Sequence, residues 1–284
     1  MHRYGTVIFQ KAYSEEDVDI AAHLRGLGKR TVFDLCDNHF YNPTGRDDYR
    51  ARADRLRRMI GGVDAVTVAT PELAKLVERP TTIIDDALDA IEPAGWSSLR
   101  RLLPRGRRPL RLVWFGNAGQ EDPPFGLIDV ARVRPELELL HQHRPIEVTV
   151  ISNSRAAFDR YLNGVRFPVR YHEWDNNQYQ RVLRRQDLCI IPVSPNPFTL
   201  CKTVNRLALA LLLGLPVVAD VIPSYEELRP FAWLDDWRRG LHEYVVDIAR
   251  QRAQVRAGQA FLRAKYTTQR VVKQWTRVLE QLAA

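Results

Sequence analysis

The chain has 284 residues, room for two domains, and 45% of them are hydrophobic, a composition that excludes an intrinsically disordered protein. Its formal net charge of +8 suits an anionic partner such as a nucleotide, a nucleic acid or an acidic membrane surface, although a few extra arginines on an ordinary soluble protein give the same balance. Cys36, Cys189 and Cys201 lack any metal-ligand spacing, so neither a disulfide framework nor a zinc site is expected, and a reducing compartment fits best.

Taken in chain order, "TVIFQK" reads as a strand. "SEEDVDIAAHLRGLGK" reads as a helix capped by Ser14, with acids in its first turn. "TVFDLCD" is a second strand, and the polar "NHFYNPTGRDD" leads into the Arg-rich helix "YRARADRLRRMIGG". "AVTVAT" is a third strand, "PELAKLVE" a helix with Pro71 in its first turn, and "TTIIDDA" a fourth strand. Residues 90–109 break this rhythm with prolines, glycines and clustered arginines, and read as a linker. The alternation then restarts with strands at "LRLVWFG", "IEVTVISN", "VRYHEW", "DLCIIPV" and "PVVAD". Helices fall at "GLIDVARVRPELELLHQHR", "SRAAFDRYLNG", "NNQYQRVLRRQ" and "KTVNRLALALLLG", and a helical remainder begins at "SYEELRPF". Short apolar strands alternating with amphipathic helices predict parallel sheets covered on both faces. The expected organisation is a short Rossmann-like domain over 1–92, a linker over 93–109, a second Rossmann-like domain over 110–265, and a last helix over 266–284 that returns to the first domain. Such sheets bind ligands beyond the carboxyl ends of their strands, in the cleft two such domains create.

Several strand ends carry polar groups. In "WFGNAGQ", Gly116, Asn117 and Gly119 let backbone approach a phosphate or sugar, or simply make a tight turn. Asn153 ends a strand at the same edge, and Trp174 offers a flat ring for a base or a core contact. Two prolines in "SPNPFTL" enforce a loop, after which Lys202, Asn205 and Arg206 fall at i, i+3 and i+4. They are expected on one face of the first helical turns. Cations there oppose the helix dipole by about 0.3–1 kcal/mol, which argues for an anion held among them. Ser224 is expected to cap the next helix, with Glu226 and Glu227 binding a sugar hydroxyl or merely serving its first turn. In the first half, Lys11, Asp37, His39 and Thr70 lie at strand ends, with His39 a candidate base that Asp37 would orient. Asp85 and Asp86 resemble a metal pair without a third ligand, and no metal site is expected.

The stretches "LRLVWFGNAG", "VTVISNS", "DLCIIPV", "KTVNRLALALLLGLPVVAD" and "IPSYEEL" together resemble the donor domain of GT-B glycosyltransferases. The similarity is greatest to the large retaining, nucleotide-sugar-dependent family (glycosyltransferase family 4-like, group 1) that includes sucrose and mannosyl transferases. "FQKAYSEEDVDIAAHLRGLGKRTVFDLCDNHF" and "AVTVATPEL" resemble the later part of the partner acceptor domain. The resemblance implies an α/β fold of two Rossmann-like domains, the first short. It also implies transfer of a sugar from a nucleotide-diphosphate sugar to a glycan, lipid-linked or small-molecule acceptor, without a further cofactor. On this reading Lys202 and Arg206 neutralise the leaving diphosphate without a metal, Gly116–Gly119 approaches phosphates or sugar, Asn153 and Trp174 frame the nucleoside, and Glu227 binds ribose. The family's two glutamates, eight positions apart, are replaced by Cys201 and Leu209. A non-catalytic nucleotide-sugar-binding or scaffold relative is therefore the rival reading. "MHRYGTVIFQK" lacks the apolar run of a signal peptide, so a cytoplasmic protein is expected, with the basic linker a candidate contact for an anionic membrane at the inner face. Nucleic-acid binding through the Arg-rich helix explains the charge, but lacks aromatic interleaving and any recognised motif.

Overall fold

The computed structural model describes residues 4–88 and 108–283, the Val245 side chain excepted. The expected linker over 93–109, with its basic run, lies outside the described residues up to position 107. The chain divides into two compact units. Unit 1 takes Met1–Ala87, Asn196–Thr203 and Tyr266–Ala284, and unit 2 takes Leu88–Pro195 and Val204–Lys265.

Unit 1 opens with β1 (Thr6–Gln10), α1 (Glu15–Gly26), β2 (Arg30–Leu35), α2 (Asp47–Gly62), β3 (Ala65–Val68), α3 (Pro71–Ala74) and β4 (Thr82–Ile83). The strands pair in sequence order and all in parallel. Ser14 caps α1 in a reciprocal box: its hydroxyl accepts from Asp17 N at 3.1 Å, while its own N–H donates to Asp17 Oδ2 at 2.8 Å. Phe9, Phe33, Leu35, Val66 and Val68 alternate onto one sheet face and meet Leu24 of α1 and Leu56, Met59 and Ile60 of α2 in a single core. The helix expected over "PELAKLVE" is one turn only, because α3 is followed by a turn rather than by further apolar periodicity.

Unit 2 contains β5 (Leu110–Phe115), β6 (Gly119–Glu121), β7 (Pro124–Gly126), α4 (Leu127–Arg132), α5 (Arg134–His143), β8 (Ile146–Ser152), α6 (Arg155–Leu162), β9 (Val169–Glu173), α7 (Tyr179–Leu183) and β10 (Leu188–Ile191). After the unit 1 segment 196–203 come α8 (Asn205–Leu212), β11 (Val217–Ala219), β12 (Trp233–Leu234), α9 (Trp237–Val246) and α10 (Ile248–Lys265). Six parallel strands run in the order β12-β11-β10-β5-β8-β9, with β5 central. Counted along the chain, this is the doubly wound order, whose direction of winding reverses between β5 and β10. The expected helix over 126–144 breaks at Val133, ahead of a proline in the first turn of α5. The small hairpin β6–β7 lies where the sequence suggested only a loop. Trp114, Val150 and Ile190 of the sheet pack with Leu127, Leu137, Phe158 and Leu241 on one face, and α8 covers the opposite face beneath α10. The final helix, α11 (Thr268–Ala283), belongs to unit 1. There Gln274 exchanges two hydrogen bonds with Asp85, at 3.1 Å from the Asp85 N–H and 2.9 Å to its carboxylate. Asp85 is thus spent on helix docking rather than standing as half of a metal pair.

Candidate functional site

In unit 2 the winding reversal between β5 and β10 marks where a doubly wound sheet receives ligands, at the carboxyl ends of its strands. Gly116 follows β5 there with φ +153°, and a Cβ at that position would meet the Arg206 guanidinium at 2.8 Å. Any larger side chain there would displace the guanidinium. Arg206 lies in the first turn of α8, half-buried, with its guanidinium carbon 5.6 Å from the centroid of the Trp114 ring. No carboxylate pairs with it among the described residues. A cation resting on an indole face, with no anionic partner, is poised for an anion. No side chain caps α8, so its dipole adds to the same positive potential. Two further polar atoms are buried near these strand ends without a partner among the described residues, Trp114 Nε1 and Ser152 Oγ.

The rest of the expected donor loop is internally committed. Asn153 Oδ1 accepts from the Ala118 N–H at 2.8 Å, and Asn117 Oδ1 from the Gly119 N–H at 2.8 Å. Asn153 therefore holds the loop through its amide oxygen. Gly119 opens the β6–β7 hairpin, where a Cβ would lie 1.8 Å from the Phe125 carbonyl oxygen. Hairpin packing by itself requires glycine there. Two carboxylates that sequence reasoning missed brace this edge. Buried Asp129 accepts from Gly126 N and Ser194 N, both at 3.0 Å, and from the Ser194 hydroxyl, joining the hairpin to the loop after β10. Burial pushes its carboxyl up by more than these bonds pull it down. Asp220, at the end of β11, accepts from Val193 N at 2.7 Å, from Trp237 Nε1 at 2.8 Å and from Arg132. A lone Asp in a sequence carries no signal for such bracing, because its partners lie 27 and 17 residues away for the first two contacts.

The remaining unit 2 candidates are likewise engaged. Trp174 stacks on Tyr179 at 4.6 Å between centroids and donates to Asn176 at 2.8 Å, so one ring face is already occupied. Glu226 forms a two-point pair with Arg229 at 2.8 and 2.9 Å, and Glu227 pairs with Lys265. Ser224 does not cap. The segment Pro223–Leu228 is a 3-10 helix whose N-cap is Ile222, because the helical turn already starts at Pro223. Asn205 is the first residue of α8.

Lys202 departs from its expected place. After a one-turn 3-10 helix at Thr199–Cys201 the backbone at Lys202 is extended, φ −68° and ψ 151°, so Lys202 does not share a helix face with Asn205 and Arg206. Its segment belongs to unit 1, where its Nζ lies 2.6 Å from Asp37 Oδ1 and 4.1 Å from the Phe198 ring centroid. Lys11 Nζ takes the other oxygen of Asp37 at 2.7 Å. Burial alone would push the Asp37 carboxyl up, but Lys202 and Lys11 outweigh it and hold the group below the usual carboxylate range. Asp37 thus serves the two lysines and does not orient His39. Tyr13 does so, its hydroxyl 2.6 Å from His39 Nδ1. Burial lowers the His39 pKa, with Arg52, Lys11 and Lys202 adding to the effect and Asp37 opposing it, so the ring is neutral near pH 7. Thr70 caps α3 through Leu73 N and donates to the Cys201 carbonyl, both at 3.2 Å.

The three cysteines are free, and burial drives the thiols of Cys36 and Cys201 up to about 12 and about 11. Among the described residues no group of three or more His, Cys, Asp or Glu is placed to hold a metal ion, and no helix is long and apolar enough to cross a membrane.

No protein-family model and no curated protein matches the chain in sequence. Solved structures do match in fold. Sucrose-phosphate synthase from Thermosynechococcus elongatus aligns with a TM-score of 0.71 at 16% identity, over 98% of this chain and 74% of that one. A UDP-forming alpha,alpha-trehalose-phosphate synthase from Burkholderia xenovorans aligns at 0.63 and 14%, over 98% and 74%. A glycosyltransferase from Rickettsia africae aligns at 0.68 and 10%, over 99% and 78%. The fold is therefore that of the GT-B glycosyltransferases: α/β, with two Rossmann-like units built on parallel sheets, the first of them small.

Proposed function

We propose that the chain is a glycosyltransferase that takes a sugar from a nucleotide-diphosphate donor. The observation that carries this reading is Arg206. It is a half-buried guanidinium at the winding reversal of a doubly wound sheet, seated on Trp114 and against Gly116, with no carboxylate partner among the described residues. A diphosphate supplies the missing anion, and its charge grows as the sugar departs, so a preorganised cation stabilises the transition state more than the ground state. The similar folds named above include a synthase described as UDP-forming, which favours uridine as the first base to try. Asp129 and Asp220 would keep the loops around Arg206 in place, Asn153 would hold Gly116 through the Ala118 contact, and His39 would serve as the base on the acceptor side. The cation chemistry is assigned to Arg206 and to the first turn of α8, and the reading invokes no metal or further cofactor. Lys202 is not assigned to the diphosphate.

A second reading is favoured by one observation: the family's glutamate positions hold Cys201 and Leu209. Cys201 is buried with its carbonyl bonded to Thr70, so no carboxylate takes its role there. The chain would then bind a nucleotide sugar without transferring it. A thermal-shift panel of nucleotides and nucleotide sugars tests binding, since a ligand that favours the folded state raises the melting temperature. Absence of a shift with every nucleotide would sink both readings. A shift with no donor hydrolysis and no transfer to a range of sugars and sugar phosphates would select the second.

A further inference from the structure

The sheet of unit 1 ends on β1, which pairs with β2 alone. Gly5 O accepts from Arg30 N at 2.9 Å, and Lys11 N donates to Asp34 O at 3.4 Å. Alternate residues of a parallel ladder turn to the same neighbour, so Gly5, Val7, Phe9 and Lys11 address β2. The backbone N–H and C=O groups of Thr6, Ile8 and Gln10 point the other way and make no hydrogen bond among the described residues. A bare edge is normally guarded by a charge, a proline, a bulge or a covering element. Thr6–Gln10 carries no charge and no proline, and its register with β2 runs without a bulge. Ile8, at its middle, is 43% exposed, and Tyr4 just before it is 67% exposed. The helix α1 leaves the same side open. Its flank toward α2 is held by Glu15 on Arg58 at 2.6 Å and by Arg25 on Asp64 at 3.2 Å. Helical periodicity puts Glu16, Ile20, His23 and Leu27 on the opposite flank, where Ile20 is half-buried and Leu27 is 54% exposed. As the crossover between β1 and β2, α1 lies over these two strands, and this flank is on the β1 side.

We propose that a second copy of this chain docks at this edge, β1 against β1 in antiparallel about a twofold axis, joining the two sheets into one. The occupant follows from the symmetry of the strand about Ile8. An axis there sets Ile8 opposite Ile8, Val7 opposite Phe9 and Thr6 opposite Gln10. Thr6, Ile8 and Gln10 are the residues whose backbone points outward, so these same residues form the hydrogen-bonded pairs of an antiparallel ladder. Val7 and Phe9 already pack in the core under α1, and their pairing extends that core across the axis. Gln10 Nε2 donates to Asp34 at 2.8 Å, which leaves the amide oxygen of Gln10 to accept from the Thr6 hydroxyl of the second copy. Lys11, the cation flanking the strand, comes opposite Gly5, so no like charges face each other. The exposed flanks of α1 in the two copies close over the new strand pair. This surface is independent of the glycosyltransferase reading.

Analytical ultracentrifugation of the full chain tests this. Wild type is expected to sediment at twice the mass of one chain and to fall to the monomer on dilution. Ile8→Lys and Ile8→Glu each set two like charges face to face and should raise the dimer dissociation constant by at least about a hundredfold. Mixing these two variants should restore a dimer, because the register sets residue 8 against residue 8. Leu27→Glu should weaken the dimer through α1, which keeps the test independent of any change within β1. Ile83→Lys, on the opposite edge strand β4, should leave the dimer intact. Ile8, Leu27 and Ile83 are all exposed, so far-UV circular dichroism of each variant should match wild type. A wild type that stays monomeric at submillimolar concentration leaves the edge to some other occupant and overturns the proposal. So does a dimer of unchanged affinity in the residue 8 variants or in Leu27→Glu. Folded residue 8 variants that fail to recombine on mixing, or a dimer lost in Ile83→Lys and kept in Ile8→Lys, overturn it as well.

Discussion

Lys202 and Arg206 are four residues apart in the chain and have opposite electrostatic circumstances. Lys202, in unit 1, shares a covered carboxylate with Lys11. Arg206, in unit 2, lies on an indole ring against a glycine and has no carboxylate partner among the described residues. Both stand at the carboxyl edge of a parallel sheet, and read as sequence they form one basic patch. The difference teaches that a cation's meaning depends on its counter-ion. A shared carboxylate holds a lysine ready at reduced net charge, whereas an unneutralised guanidinium has its full charge to give to a ligand.

The largest expected effect is at the unpaired member. Arg206→Ala should reduce transfer, or donor hydrolysis, by about 10²–10³-fold, in the range seen when one transition-state donor is removed. Lys202→Ala should leave the UDP thermal shift within error of wild type. Similar losses of UDP binding in both variants would erase the distinction between the two cations. Gly116→Ala should come next. The new Cβ would lie 2.8 Å from the guanidinium at a backbone angle that only glycine tolerates well, so Arg206 must shift. A stability loss of about 1–3 kcal/mol by urea unfolding is expected, together with a weakened UDP shift.

The pH dependence probes the paired side. His39 and Asp37 both have folded pKa values below their ordinary ones. Each therefore contributes stability that is present above its ordinary value and lost as pH falls through its lowered one. The melting temperature should fall first below about pH 6.5, where an unperturbed imidazole would already be charged, and again through the carboxylate range. His39→Gln should flatten the first fall and Asp37→Asn the second; melting curves that keep both steps in these variants would assign them elsewhere. The smallest effect belongs to a site remote from either cation. Ser14→Ala removes the α1 cap and should cost about 1 kcal/mol in denaturant unfolding, with no change in UDP binding.

Much of the fold was legible because its signals are local. The alternation of apolar runs and amphipathic helices marks strands and helices within a few residues of their true ends. Ser14 announced its cap through an acid three positions on. The elements that escaped were the small ones. The β6–β7 hairpin and the two-residue β12 are too short to carry a period, and β12 is identified by its pairing with β11, while α3, expected as a helix, proves to be a single turn. The candidate site was legible in composition but not in arrangement. Gly116, Lys11, Asp37 and His39 were each marked by their place at a strand end or loop, and Arg206 by its place in a first helical turn. Their partners were not, because Tyr13 meets His39 across 26 positions and Lys202 meets Asp37 across 165.

The sequence by itself determined an α/β chain with two sets of parallel strands and polar groups at their carboxyl ends, since periodicity, caps and prolines act over a few residues. Tertiary structure decided which charges are neutralised. It turned Lys202 out of the helix toward Asp37, engaged Asn153, Glu226 and Thr70 in holding their surroundings, and left Arg206 against Gly116. Counter-ions are chosen by proximity in space, and the strands that bring these groups together are joined by whole helices.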